Sequence, residues 1–172
     1  DEMQKLFPDR DPEVMVKEYR LYQNSLPDQH IVELLPNTEI VLRELKKRGY
    51  QLGIVSSRLT ESCEMWLKEF KIYDLFDVVL GRDQFINAKP APDGILKACE
   101  MLNKGHDSCI YVGDHFNDIE AARNAGVYAV AYVSNKERLP KIKAAGPNYL
   151  IMGLGDLIPE LESDHAWTYE KI

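Results

Sequence analysis

A chain of 172 residues, 45% hydrophobic and 28% charged, has the composition of one globular domain with a little to spare, which excludes a disordered, collagen-like or disulfide-scaffold protein. Its 28 acidic and 21 basic residues leave a net charge of −7, which argues against a general nucleic-acid or anionic-membrane binder, because phosphate backbones are held by clustered Lys and Arg. One small anionic substrate in a locally positive pocket stays compatible with that charge. Cys63, Cys99 and Cys109 are odd in number and widely spaced, without CxxC or Cys/His ligand spacing. Reduced, buried thiols are therefore expected rather than a disulfide framework or a zinc site. No signal-peptide pattern and no apolar run near about 18 residues occurs, so the expected compartment is the cytoplasm, with no membrane partner. The sequence opens on Asp1-Glu2 without Met, as expected of a processed chain or a portion of a longer one.

In chain order, residues 12–24 read as a helix. Asp11 suits its cap, Pro12 its first position, and Val14, Val16, Tyr19 and Tyr22 give a partly periodic apolar face. Pro27 ends it, and a linker runs to Pro36. Residues 38–48 form an amphipathic helix closed by Gly49. Residues 52–56 are a short strand without charge, expected to be covered on both faces. Helix 60–70, strand 78–80, helix 92–102 and a buried-type strand 109–112 follow. Then come helix 118–125 ending at Gly126, strand 128–133, helix 136–144, strand 149–152 and helix 154–161. Strands separated by helices of about 10 residues predict βαβ units and a mostly parallel sheet, an α/β fold.

Ligands of such sheets bind where the carboxyl ends of the strands meet the following loops. Three loops there carry chemistry: Ser56-Ser57-Arg58, Asn87-Ala88-Lys89-Pro90-Ala91-Pro92-Asp93, and Gly113-Asp114-His115-Phe116-Asn117-Asp118. A phosphoryl group in transfer spreads charge over its oxygens and needs positioning and neutralisation. Ser56 can donate its hydroxyl, the Ser57 amide can point at the same anion, and Lys89 can supply a compact positive charge. Asp114 and Asp118 can hold Mg²⁺, which prefers one or two carboxylates with waters and phosphate oxygens. Each piece alone has a plainer explanation: a turn-forming Ser, a solvated Lys, and Asp114, Asn117 and Asp118 as helix-capping groups. His115 has no evident partner.

The order and spacing of these segments resemble the haloacid dehalogenase-like hydrolase superfamily, in its phosphoglycolate phosphatase and pyrophosphatase branch. The likeness covers about residues 36–161 and includes Ile72-Tyr73-Asp74-Leu75-Phe76-Asp77. It implies a Rossmann-like core over 31–162, preceded by the end of a helical cap over 1–30 and followed by a tail over 163–172. It further implies a Mg²⁺-dependent phosphatase acting on a small phosphorylated substrate. By position, Ser56 matches the residue that holds the transferring phosphoryl group, and Ser57 and Arg58 fall where the branch often has Asn and Lys. Lys89 matches the Lys that neutralises nucleophile and phosphate. Asp114 matches the acidic metal ligand, and Asp118 a second carboxylate that binds through water or orients Lys89.

The family's first motif, Asp-x-Asp-Gly-Thr, supplies the aspartyl nucleophile, and no Asp-x-Asp-Gly occurs in this sequence. Asp9-Arg10-Asp11-Pro12 is the nearest imitation, but no apolar strand precedes it and Pro12 stands where Gly is needed. The nucleophile is thus expected upstream, on a strand between those ending at Ser56 and Asp114. Without that strand, two rows of backbone groups would face each other unpaired. An upstream segment, a partner chain, or direct joining of the two strands is expected to resolve this. The competing expectation is a non-catalytic fragment or pseudoenzyme that binds phosphate or a protein. A response-regulator receiver fails because the acidic pair comes last.

Overall fold

The computed structural model describes residues 8–11, 14, 15, 18 and 33–158, and the chain divides into two compact units, Asp1–Glu33 and Leu34–Ile172. In the first, Val14, Met15 and Glu18 are helical, within the helix expected over 12–24; the rest of that expected segment lies outside the described residues. Met15 is buried, and Arg10 pairs with Glu18 at 2.6 Å.

The second unit alternates helix and strand: α1 (Thr38–Lys47), β1 (Gly53–Val55), α2 (Thr60–Glu69), β2 (Val78–Leu80), α3 (Asp93–Met101), β3 (Ile110–Gly113), α4 (Phe116–Ala125), β4 (Tyr128–Tyr132), α5 (Leu139–Ala144) and β5 (Tyr149–Ile151). Every strand pair is parallel, the α/β class that the alternation predicts. The strands form two sheets rather than one. β1 pairs with β2, Gly53 opposite Val78 and Val55 opposite Leu80. β4 lies between β3 and β5, with Gly113 opposite Ala131 and Tyr132 opposite Ile151.

Among the described residues, the two sheets present unpaired edges to each other. Alternate residues of a parallel strand direct their N–H and C=O to opposite sides. The Leu52 carbonyl accepts from Asp77 N–H at 2.8 Å, and Ser56 N–H donates to Leu80 at 2.9 Å, so Gly53 and Val55 face away from β2. Between that edge and β3 lies a cavity of about 340 Å³, lined by Gly53, Val55, Ile110 and Tyr111, with Ala98 of α3 and Leu102 just past its end. β1 and β3 are therefore not joined. The expected cover on both faces of β1 is also corrected. Gly53 is exposed and Ile54 and Val55 are half-buried, because a strand paired along one edge stays open to solvent on the other.

The core is built on β4, whose residues alternate with the period of two expected of a strand. Ala129 and Ala131 pack with Ile119, Ala122 and Ile142 of α4 and α5. Val130 turns to the opposite layer, against Val41 and Leu45 of α1, Ile151 and Leu157. Gly126 closes α4 with φ 71°, a left-handed conformation that favours glycine. The helix expected over 136–144 starts as a 3₁₀ turn, Lys136–Arg138, and only Leu139–Ala144 is α-helical. Pro140 sets this start, since deeper in an α-helix its ring would clash with the carbonyl four residues back. Past β5, Leu154–Asp156 forms another 3₁₀ turn and Leu157 and Ile158 are helical; the remainder of helix 154–161 and the tail lie outside the described residues. Among the described residues no helix is long and apolar enough to cross a membrane.

Cys63 and Cys99 are buried and Cys109 is half-buried, all as free thiols. Burial and a hydrogen bond with Cys109 push the Cys99 thiol up to about 12, away from the thiolate form that reacts.

A carboxylate beyond β2 secures the start of α2. Asp83 accepts from the Thr60 backbone N–H at 2.7 Å and the Thr60 hydroxyl at 3.0 Å, while Gly81 N–H donates to the same hydroxyl. The Thr60 N–H above all holds the Asp83 carboxyl down to about 2. A carboxyl lowered on folding stabilises above its unfolded value, about 3.9, and loses that contribution as pH falls through its folded value. Asp83→Asn is therefore expected to melt with a shallower pH dependence than wild type between about 4 and about 2. Melting followed by circular dichroism tests this, and identical acid slopes would rule it out.

Candidate active site

Three ties fix the loop between β2 and α3. The Arg82 guanidinium donates to the carbonyls of Phe85 at 2.6 Å and Ile86 at 2.9 Å. Asp93, in the first turn of α3, accepts from the Asn87 backbone at 3.1 Å and side chain at 2.9 Å. Asn124 of α4 donates to the Pro90 carbonyl at 2.9 Å. A loop held at both ends and its middle presents Lys89 inward, where the side chain is 13% exposed.

The Lys89 ammonium meets three elements. It donates to Asp118 Oδ1 at 2.5 Å, to the Tyr111 hydroxyl at 3.0 Å and to the Val55 carbonyl at 3.4 Å. Tyr111 in turn donates to the Val55 carbonyl at 3.2 Å. Burial opposes the charge on Lys89, but Tyr111 and the Asp118 carboxylate more than offset it and hold the group above the ordinary lysine range. It is an ammonium at neutral pH. Burial, reinforced by Asp118, raises the Tyr111 phenol against the pull of Lys89, so the hydroxyl keeps its proton.

Asp118 reaches this position through its helix. His115, not Asp114 or Asn117, is the N-cap of α4: its Nδ1 accepts from Asn117 N–H at 3.2 Å. Asp118 Oδ2 returns the bond by accepting from His115 N–H at 3.1 Å, a capping-box arrangement. The helix consequently begins at Phe116, two residues before the predicted start. A Cβ on Gly113 would come within 2.3 Å of Asp118 Cβ, so only glycine at the end of β3 lets this carboxylate pack there. Asp118 thus has one oxygen on Lys89 and the other on the backbone.

Ser56 lies half-buried directly after Val55. Its hydroxyl oxygen accepts from Arg58 N–H at 3.1 Å, and its own proton has no acceptor among the described residues. Ser57 and Arg58 are exposed on the turn that follows, fixed in part by Arg82 N–H donating to the Arg58 carbonyl at 2.7 Å. Asp114 is exposed at the end of β3, and Ser134, beyond β4, donates to its Oδ2 at 3.4 Å. The structure therefore gathers Lys89, Asp118 and the chain preceding Ser56 into one hydrogen-bonded cluster, with Asp114 on the adjoining strand end. Sequence reasoning missed Tyr111. Its signal was a phenol inside an apolar strand, which needs a partner for its hydroxyl when buried.

The donor set suits Mg²⁺ in part. That ion takes one or two carboxylates along with waters and phosphate oxygens. Asp114 is placed to offer a carboxylate directly, whereas Asp118 is already engaged through both oxygens. Among the described residues no group of three or more His, Cys, Asp or Glu gathers into a closed metal cage.

Residues 1–132 match the family model for haloacid dehalogenase-like hydrolases. The chain belongs to that family. Among relatives of this hydrolase, the pyrophosphatase PpaX of Bacillus cereus is 32% identical over 151 residues, covering 88% of this chain and 69% of its own. A solved haloacid dehalogenase-like protein from Bacteroides fragilis superposes with a TM-score of 0.78 at 26% identity, over 90% of this chain and 75% of that one. A HAD phosphatase from Thermococcus onnurineus gives 0.69 at 30% identity, over 92% and 68%. The likeness to these structures agrees with the parallel α/β architecture seen in this hydrolase.

Proposed function

We propose that this hydrolase is a Mg²⁺-dependent phosphatase for a small phosphate monoester of the phosphoglycolate kind. The observation that carries the reading is the Lys89 ammonium, held by Asp118 and Tyr111 beside the end of β1. A buried cation at the strand end that leads into Ser56, whose hydroxyl proton has no acceptor among the described residues, suits an anion, and a phosphoryl group matches both donors. The alternative substrate is pyrophosphate, favoured by the Bacillus cereus relative's being a pyrophosphatase. It presents the same anion to the same donors.

In this reading a carboxylate on a strand seated between β1 and β3, upstream in the protein, attacks phosphorus. Its oxygen bonds to phosphorus as the ester P–O bond breaks, the leaving oxygen takes a proton from a second carboxyl on that strand, and water hydrolyses the aspartyl-phosphate. Lys89 neutralises charge on the attacking carboxylate and the phosphoryl oxygens, and Ser56 donates to one of those oxygens. Ser57 offers its amide and Arg58 its guanidinium at the rim. Asp114 would hold Mg²⁺, with Asp118 acting through water or through Lys89; when bound, the ion supplies further neutralisation of phosphate charge.

The test is phosphate release from phosphoglycolate, pyrophosphate and an aryl phosphate, with and without Mg²⁺, in protein whose slot holds an Asp-x-Asp-Gly-Thr strand. Asp114→Ala is expected to lower Mg²⁺-dependent release at least about a hundredfold. Its melting midpoint should stay near wild type, because the side chain is exposed and the hydrogen bond it accepts from Ser134 is long, at 3.4 Å. Turnover close to wild type in this variant would remove Asp114 from the metal role.

A further inference from the structure

The geometry points to Tyr111 as the positioning residue that aims the Lys89 ammonium at the anion site. Alternation along β3 places Tyr111 on the face of α3 and α4, while Ile110 and Val112 pack into the opposite layer. From that face its hydroxyl reaches Lys89 at 3.0 Å and the Val55 carbonyl at 3.2 Å. The phenol is a donor and an acceptor at once. Because its proton is directed at Val55, a lone pair is left facing the ammonium.

A lysine side chain has four rotatable carbons, and one ion pair leaves its nitrogen free to swing on a shell about the partner oxygen. Asp118 on α4 provides that first restraint. Tyr111 provides a second from a different element, which reduces the shell to a short arc. An ammonium has three N–H bonds in tetrahedral array, so with two committed the direction of the third follows. It falls on the Val55 carbonyl at 3.4 Å, the residue directly before Ser56. This third bond is the longest of the three and goes to a neutral oxygen, so an anion arriving at Ser56 displaces it readily. Packing alone does not require the hydroxyl, since Phe would fill the same space. The identity of the anion as phosphate rests on the proposed phosphatase reading; the orientation of Lys89 does not.

Tyr111→Phe in residues 1–172 removes only the oxygen. Inorganic phosphate is titrated by calorimetry, and the Lys89 ammonium is followed in ¹H–¹⁵N spectra selective for lysine side chains. The variant is expected to melt as wild type, to bind phosphate about tenfold more weakly, and to show a Lys89 ammonium signal broadened by faster exchange. A folded variant that binds phosphate as tightly as wild type overturns the proposal. Should wild type bind no phosphate, Lys89 and Ser56 do not form an anion site without the strand and metal that the phosphatase reading supplies, and the ammonium signal alone decides the role of Tyr111: a signal unchanged by the substitution overturns it. Should the variant not fold, the decision falls to wild type, where ammonium-to-ring cross-peaks between Lys89 and Tyr111 are expected and their absence overturns the proposal.

Discussion

Lys89→Ala is expected to destabilise the protein by about 3 kcal/mol, the order found when one member of a buried ion pair is removed. The pair is close, at 2.5 Å, and both side chains are shielded, with exposures of 13% and 11%. Asp118 would be left with the His115 N–H and no counter-charge. Its neighbours Ile119, Ala121 and Ala122 are fully buried. For a chain of this size the melting midpoint should fall by roughly 10 °C. Asp118→Asn in the same background is expected to restore much of the loss, because the amide oxygen can still accept from His115 and no charge remains to be matched. The double-mutant cycle, followed by urea or thermal unfolding, isolates that coupling. A cost below about 1 kcal/mol for Lys89→Ala, as for an exposed pair, would show that water reaches the site. The pH dependence has a definite sign. A lysine raised on folding stabilises fully below its unfolded value, about 10.4, and that contribution is lost only as pH rises through the higher folded value. The pair is thus intact throughout the neutral range.

Much of this arrangement was legible in the sequence, and what was not has physical causes. The strand over 78–80 and the Gly126 cap follow from local chemistry: an uncharged apolar run, and the one residue that adopts a left-handed conformation freely. The order Ser56, Lys89, Asp114 was readable because strand ends carry the loops of any parallel sheet. Tyr111 escaped because its role depends on Val55, 56 positions away, and no local pattern encodes that distance. The Asp83 cap on Thr60 is hidden for the same reason, spanning 23 positions. His115 was passed over since histidine is not among the favoured N-caps; the capping box was carried instead by Asp118, three residues on. The cover of β1 was misjudged because absence of charge reports on faces, whereas its exposure comes from an unpaired edge.

That unpaired edge leads to the second large effect: residues 1–172 alone are expected to release no phosphate from an aryl phosphate above a no-protein control, and a strand supplied in trans is expected to start turnover. The proposed mechanism needs a carboxylate to attack phosphorus beside Lys89. Asp118 is committed to Lys89 and His115, and Asp114 is the proposed metal ligand, so neither is free to serve. The slot between β1 and β3 has backbone groups on both walls and apolar side chains from α3 along its floor. A parallel apolar strand satisfies both, since edges of this kind pair with any strand of matching register. A peptide with an apolar run ending in Asp-x-Asp-Gly-Thr, at about millimolar concentration, should shift the amide resonances of Val55 and Ile110 and bring Mg²⁺-dependent release with it. Changing its first Asp to Asn should leave those shifts and abolish release. Release that survives this change would sink the aspartyl role. Turnover by residues 1–172 alone, removed by Asp114→Ala, would instead place the nucleophile within the chain, with Asp9 and Asp11 the first carboxylates to replace.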